Sequence, residues 1–145
     1  MEGHGFRHAV DLPGMAAERV APPCRELPRL DVRRVGAGVG REQFAGISSA
    51  CFNAPSRWFR EVFDGAGVWN EFAAYVGYMG GEPVAIAAIV ADSGAAGVYN
   101  LGVLPEARRR GYGEAMMRHA LDEARRRYGV ERSVLQSTPA GLRLY

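Results

Sequence analysis

Residues 101–116 read LGVLPEARRRGYGEAM. A short apolar run stops at Pro105, arginines fill 108–110, and Gly111 and Gly113 stand one residue apart. That order predicts a strand, a loop rich in arginine and glycine, and a helix starting at the glycines. The first N–H groups of a helix lack intrahelical acceptors and sit at the positive end of its dipole, so such a start binds anions. Glycine lets a phosphate reach the backbone, and arginine adds a planar fork of donors, which makes a pyrophosphate the natural ligand. Two familiar phosphate motifs do not fit. A P-loop needs a lysine, and this chain has none. A dinucleotide fingerprint needs a third small residue where Met116 stands, and a βαβ unit where hairpins are expected.

Outward from this stretch, residues 113–128 carry the clearest helical pattern. Met117, Leu121, Ala124 and Tyr128 recur at helical spacing with Ala120 between them, and Gly129 follows as a C-terminal stop. Upstream, 73–79 and 83–91 are strands joined at Gly80-Gly81-Glu82, and 93–96 turn the chain into a third strand, 97–104. The middle strand is apolar on both faces and therefore central. Residues 29–35 form a half-buried strand. Phe44, Ile47, Ser48 and Cys51 place a helix over 41–52, and Pro55 opens a second one with Trp58, Phe59 and Phe63. Downstream, 130–137 is a strand, and Thr138 and Pro139 cap and open another helix at "TPAGLRLY".

The 145-residue length suits one domain, and 48% apolar with 23% charged residues is an ordinary globular composition. No apolar run approaches the roughly 18 residues of a membrane span, and charges interrupt any secretory segment at the N-terminus. The expectation is a cytoplasmic protein without a membrane partner. A net charge of +2 argues against nucleic acid as a partner. All 18 basic residues are arginine. Cys24 and Cys51 have no metal-ligand spacing and read as a loop cysteine and a helix-core cysteine. No metal is expected: His4 and His8 share helical spacing without a third ligand and read as a solvated tail.

Arg108, Gly111 and Gly113 also match the pattern R/Q-x-x-G-x-G/A, behind an apolar strand and Pro105. With "YNLGVLPEARRRGYGEAMMRHAL" and "TPAGLRLY", the chain resembles the GNAT superfamily of acetyl-CoA-dependent N-acetyltransferases over about residues 29–145. The resemblance implies an α+β, three-layer fold with a mixed, mainly antiparallel sheet flanked by helices, here lacking the family's C-terminal strands. Acetyl-CoA would be the co-substrate and a primary amine the acceptor, attacked directly. Backbone groups at Leu101, Gly102 and Val103 would hold the pantetheine arm, and the Leu101 N–H would polarise the thioester carbonyl. Arg108 matches the motif's first position, and the backbone of Arg109, Arg110, Gly111, Tyr112, Gly113 and Glu114 would hold the pyrophosphate. Thr138 stands at the family's asparagine position and joins the cofactor set. Tyr145 matches the tyrosine proposed as the general acid for the CoA thiolate, since a phenol of pKa about 10 can protonate a thiolate whose thiol titrates near 8.5.

A general base is harder to place. Some family members carry a glutamate six residues before the position of Val103, which here is Gly97. Deprotonation through water, an amine that arrives neutral, and Glu71 near the hairpin start are the remaining routes. His119 reads as a surface or edge position, and Arg33-Arg34 and Arg125–Arg127 as solvated faces. Residues 1–28 read as an N-terminal extension or the remnant of a preceding unit, and 29–145 as the acetyltransferase domain, incomplete at its C-terminal end. Strand 130–137 is then expected to be an unpaired edge. A homodimer would cover it, or the N-terminal "HGFRHAVDLPGMA" would, whose Gly5-Phe6 resembles the "GF" that follows the tyrosine in the family. The alternative function is a non-catalytic acyl-CoA-binding or interaction domain of the same fold.

Overall fold

A computed structural model describes residues 5, 7–8, 11–36, 38–64, 73–139, 141–142 and 144–145. The elements run β1 (Gly14–Ala17), β2 (Asp31–Arg34), α1 (Val39–Phe52), α2 (Ser56–Asp64), β3 (Ala73–Met79), β4 (Glu82–Asp92), β5 (Ala95–Val103), α3 (Tyr112–Tyr128) and β6 (Arg132–Gln136), with a 3-10 turn at Pro105–Ala107. The six strands form one mixed sheet in the order β1-β6-β5-β4-β3-β2. Only β5 and β6 are parallel. This is the α+β architecture expected from the sequence.

The strand patterns follow from burial on both faces. In β3, Ala73 and Tyr75 pack with Met116, Ala120 and Ala124 of α3. Alternate residues Ala74, Val76 and Tyr78 pack on the other face with Phe44 and Ile47 of α1. Ala85 to Ala88 at the centre of β4 are 0% exposed, so this strand needs apolar residues at successive positions, not alternate ones.

Three expectations are corrected. The outer edge of β6 is paired, not open: β1 runs antiparallel to it from Gly14↔Gln136 to Ala17↔Ser133. The N-terminal segment fills that edge, so no second copy is required there; Phe6 lies outside the described residues. Within "TPAGLRLY" the described residues make tight turns and no regular helix, with Gly141 N–H on Thr138 O and Leu144 N–H on Gly141 O, both spanning three residues. Trp58 is 54% and Tyr128 53% exposed: α3 buries Tyr112, Met116, Met117, Ala120 and Ala124 instead, a stripe rotated toward its N-terminus. His119 is half-buried, its ring edge-on to Tyr75 with centroids 5.3 Å apart, and that burial lowers its pKa.

Candidate active site

The site begins where two parallel strands part. β5 pairs with β6 from Ala95↔Arg132 to Val98↔Leu135 and no further. Beyond that point β6 stays with the N-terminal segment, its ladder extended by Ser137 N–H on Pro13 O at 2.9 Å. β5 stays with β4, through Ile86↔Gly102 and Ala85↔Val103. A wedge therefore opens along residues 100–103, leaving one edge of β5 without a strand partner among the described residues. Such an edge can take an extended polar chain as an added strand.

A bulge aims the residues at the wedge. Ala88 faces Tyr99 and Ile86 faces Gly102, so β5 spends three steps where β4 spends two. Asn100, at φ 46°, takes up the extra residue. Ala96 and Val98 pack into the α3 side of the sheet, and Leu101 and Val103 lie against that same cluster. Without the bulge, Leu101 and Val103 would face α1. The bulge returns them to the α3 side.

After Val103, the Leu104 N–H bonds Val84 O at 2.9 Å, and Pro105 opens the 3-10 turn. Arg108 sends its side chain back onto the strand, Nε donating to Val103 O at 3.0 Å. Gly111, at φ 85°, is the N-cap of α3, and no side chain caps that helix start. Glu114 in the first turn is occupied by Arg118, whose Nε donates to Oε1 at 3.0 Å. The N–H groups of Tyr112 to Glu114 are thus left to an external acceptor. Arg109 and Arg110 are exposed, and neither has a carboxylate within ion-pair distance among the described residues. An uncapped helix start beside two uncommitted guanidinium groups is chemically fitted to a polyphosphate.

The C-terminal turns close in on the same point. A methyl group built on Gly113 would stand 3.4 Å from Leu144 Cδ2 and 3.6 Å from Val103 Cγ2, so Leu144 docks between the start of α3 and the end of β5. Tyr145 follows, 38% exposed, and burial raises its phenol pKa. Thr138 is exposed, its carbonyl accepting from Ser137 Oγ at 2.9 Å.

On the α1 side, Gly97 lies under an aromatic ring: a methyl group there would be 2.7 Å from Tyr99 Cε2 and 3.1 Å from its hydroxyl. One on Gly102 would meet Cys51 Sγ at 2.8 Å. Burial pushes the Cys51 thiol up, and the Arg108 guanidinium pulls it the other way. Glu71 lies outside the described residues. Cys24 is exposed, and His8 pairs with Asp11 on the surface at 2.9 Å. Among the described residues no three His, Cys, Asp or Glu side chains gather into a metal-binding group, and no helix is long and apolar enough to cross a membrane. The sequence reading missed the segment between β1 and β2, which carries Pro28 and Arg25 to Gly111. Its signal was weak, because irregular, proline-rich backbone has no periodicity to read.

A wedge in a sheet beside an uncapped helix start is fitted to an extended polar chain that carries an anion. The model of the acetyltransferase (GNAT) family matches residues 42–145. The chain belongs to that family, whose general chemistry is acyl transfer. Among solved structures, a GCN5-related N-acetyltransferase from Kribbella flavida superposes with TM-score 0.65 at 24% identity, covering 88% of this chain and 49% of its own. One from Sphaerobacter thermophilus gives TM-score 0.68 at 22% identity, with 94% and 45% covered. A predicted acetyltransferase from Clostridium acetobutylicum, solved with acetyl-CoA, gives 0.66 at 16%, with 81% and 86% covered. The chain thus spans about half the length of the first two. No curated protein matches the sequence.

Proposed function

We propose that the protein transfers an acetyl group from acetyl-CoA to a primary amine by direct attack. The observation that carries this reading is the adjacency of two features, the open edge of β5 after Val98 and the uncapped start of α3, where a methyl group on Gly113 would stand 3.6 Å from Val103 Cγ2. When bound, acetyl-CoA supplies an activated thioester. The residues divide the rest of the work. Leu101 and Val103 offer backbone groups to the pantetheine amides, the backbone of Gly102 between them being turned to Ile86 of β4, and the N–H of Leu101 holds the carbonyl oxygen as it gains charge. Tyr112 to Glu114 present N–H groups to the pyrophosphate, with Arg109 and Arg110 beside them. Arg108 acts on the site by bracing Val103. Thr138 orders the turn that presents Leu144 and Tyr145. As nitrogen bonds to the acetyl carbon and the carbon–sulfur bond breaks, Tyr145 gives its proton to the departing sulfur and regains one from solvent. Its raised pKa keeps the phenol protonated at neutral pH. The amine loses its proton to water.

A second reading is a non-catalytic acyl-CoA-binding domain, and the site at Gly97 favours it: Tyr99 lies across the position of the family's glutamate. Calorimetric titration with acetyl-CoA, followed by release of free thiol in the presence of a polyamine, an aminoglycoside or a peptide with a free N-terminus, separates the two. Amine-dependent release is expected. Saturable binding with no release from any of the three would establish the second reading, and no binding would remove both.

A further inference from the structure

The segment between β1 and β2 crosses from one edge of the sheet to the other over α3, and it is pinned along the way. Arg132 pairs with Glu18 at 3.2 Å, and Arg19 grips Glu131 through Nε and Nη2 at 3.0 and 2.6 Å. Arg118 then donates Nη1 to Ala21 O at 2.7 Å while holding Glu114 in the first turn of α3. The strap is therefore fastened to the same helical turn that opens the anion site. Seven residues on, Pro28 packs on Gly111, its Cδ 2.9 Å from where a methyl group would stand, and Arg25 Nη2 is 3.9 Å from that point.

Arg25 is exposed and has no carboxylate within ion-pair distance among the described residues, although Glu26 adjoins it in sequence. Arg19, Arg33, Arg60, Arg118, Arg125, Arg126, Arg127 and Arg132 are all paired. Among the described residues, Arg109 and Arg110, which precede Gly111 in the loop, and Arg25 of the strap, 3.9 Å from the methyl position on Gly111, have no ion pair. Two come with the motif. The third is brought by a segment the motif does not include.

We propose that Arg25 is a cofactor-binding residue that reaches from the strap to a phosphate of CoA, so that residues 18–30 form part of the cofactor site. The inference rests on the acetyl-CoA reading above. Arg25 is exposed, so its removal is expected to leave the fold intact, whereas a lost charge-assisted contact to phosphate weakens binding about ten- to a hundredfold.

The test is a calorimetric titration of wild type, Arg25→Ala and Arg25→Lys with acetyl-CoA. S-acetylpantetheine, which has no phosphate, is titrated in parallel by NMR at millimolar concentration. Arg25→Ala is expected to bind acetyl-CoA at least tenfold more weakly, with a shallower salt dependence, and Arg25→Lys to fall between. Both variants should melt with wild type and respond to S-acetylpantetheine as wild type does. Acetylated dephospho-CoA then says which phosphate is met: a surviving Arg25 effect means the pyrophosphate, a vanished one the 3′-phosphate. Wild-type binding with unchanged affinity in Arg25→Ala overturns the assignment and leaves the acetyl-CoA reading standing. An altered S-acetylpantetheine response in Arg25→Ala overturns it too, by revealing a merely structural role. Wild type failing to bind acetyl-CoA overturns both.

Discussion

Gly111 is constrained twice, by a left-handed φ of 85° and by Pro28, which leaves no room for a side chain. The first constraint alone costs a non-glycine residue about 1–3 kcal/mol, and the proline ring cannot swing aside as a flexible chain end would. Gly111→Ala should therefore lose about 2–3 kcal/mol in urea denaturation; a loss below about 0.5 kcal/mol, the range of ordinary surface changes, would mean that the loop rearranges freely. The helix start at Gly111 was legible in sequence because its signals are local, set by the glycines and the residues flanking them. Arg108 was legible as a position and not as a contact: its side chain turns to Val103 O, and no pattern records which way a long side chain points. Tyr99 across Gly97 was hidden for the same reason.

Among the elements, β3, β4 and β5 could be read closely because a sheet covered on both faces imposes a dense apolar code on every residue. The helix forecast at "TPAGLRLY" rested on Thr138 and Pro139, which are local signals; short helices take their stability from a packed face, and here Leu144 is drawn onto Gly113 instead. The bulge at Asn100 is a relation between two strands, so one strand's sequence cannot announce it. The strap is held by distant partners, Arg118 above all. Arg118→Ala would free Ala21 O and leave Glu114 unpaired in the first turn, where the helix dipole still favours it. A loss of about 1–2 kcal/mol is expected, together with faster tryptic cleavage after Arg25. Unchanged proteolysis would show that the strap is held by its other ends.

For the molecule as a whole, acid stability depends in part on the far end of α3. Hydrogen bonds from Arg127 and then Arg126 hold the Glu123 carboxyl at about 2, well below the usual range. A depressed carboxyl stabilises the fold fully above its unfolded value, near 4.3, and the benefit is lost as pH falls through the folded value. The stability gap between wild type and Glu123→Gln, read from denaturation curves, should be constant above about pH 5 and close toward pH 2. A gap unchanged at low pH would place the effect in packing. High salt should narrow it, since these arginines are solvent-exposed.

The pairing of β1 with β6 also bears on the order in which the molecule assembles. Its partners, Gly14 with Gln136 and Ala17 with Ser133, lie at opposite ends of the chain, whereas β3, β4 and β5 meet through tight turns. Loop closure favours the hairpins first and that four-residue ladder last. The wedge lies where β6 follows β1 away from β5, so the proposed acyl-transfer site is expected to be completed by a late-forming contact of the sheet.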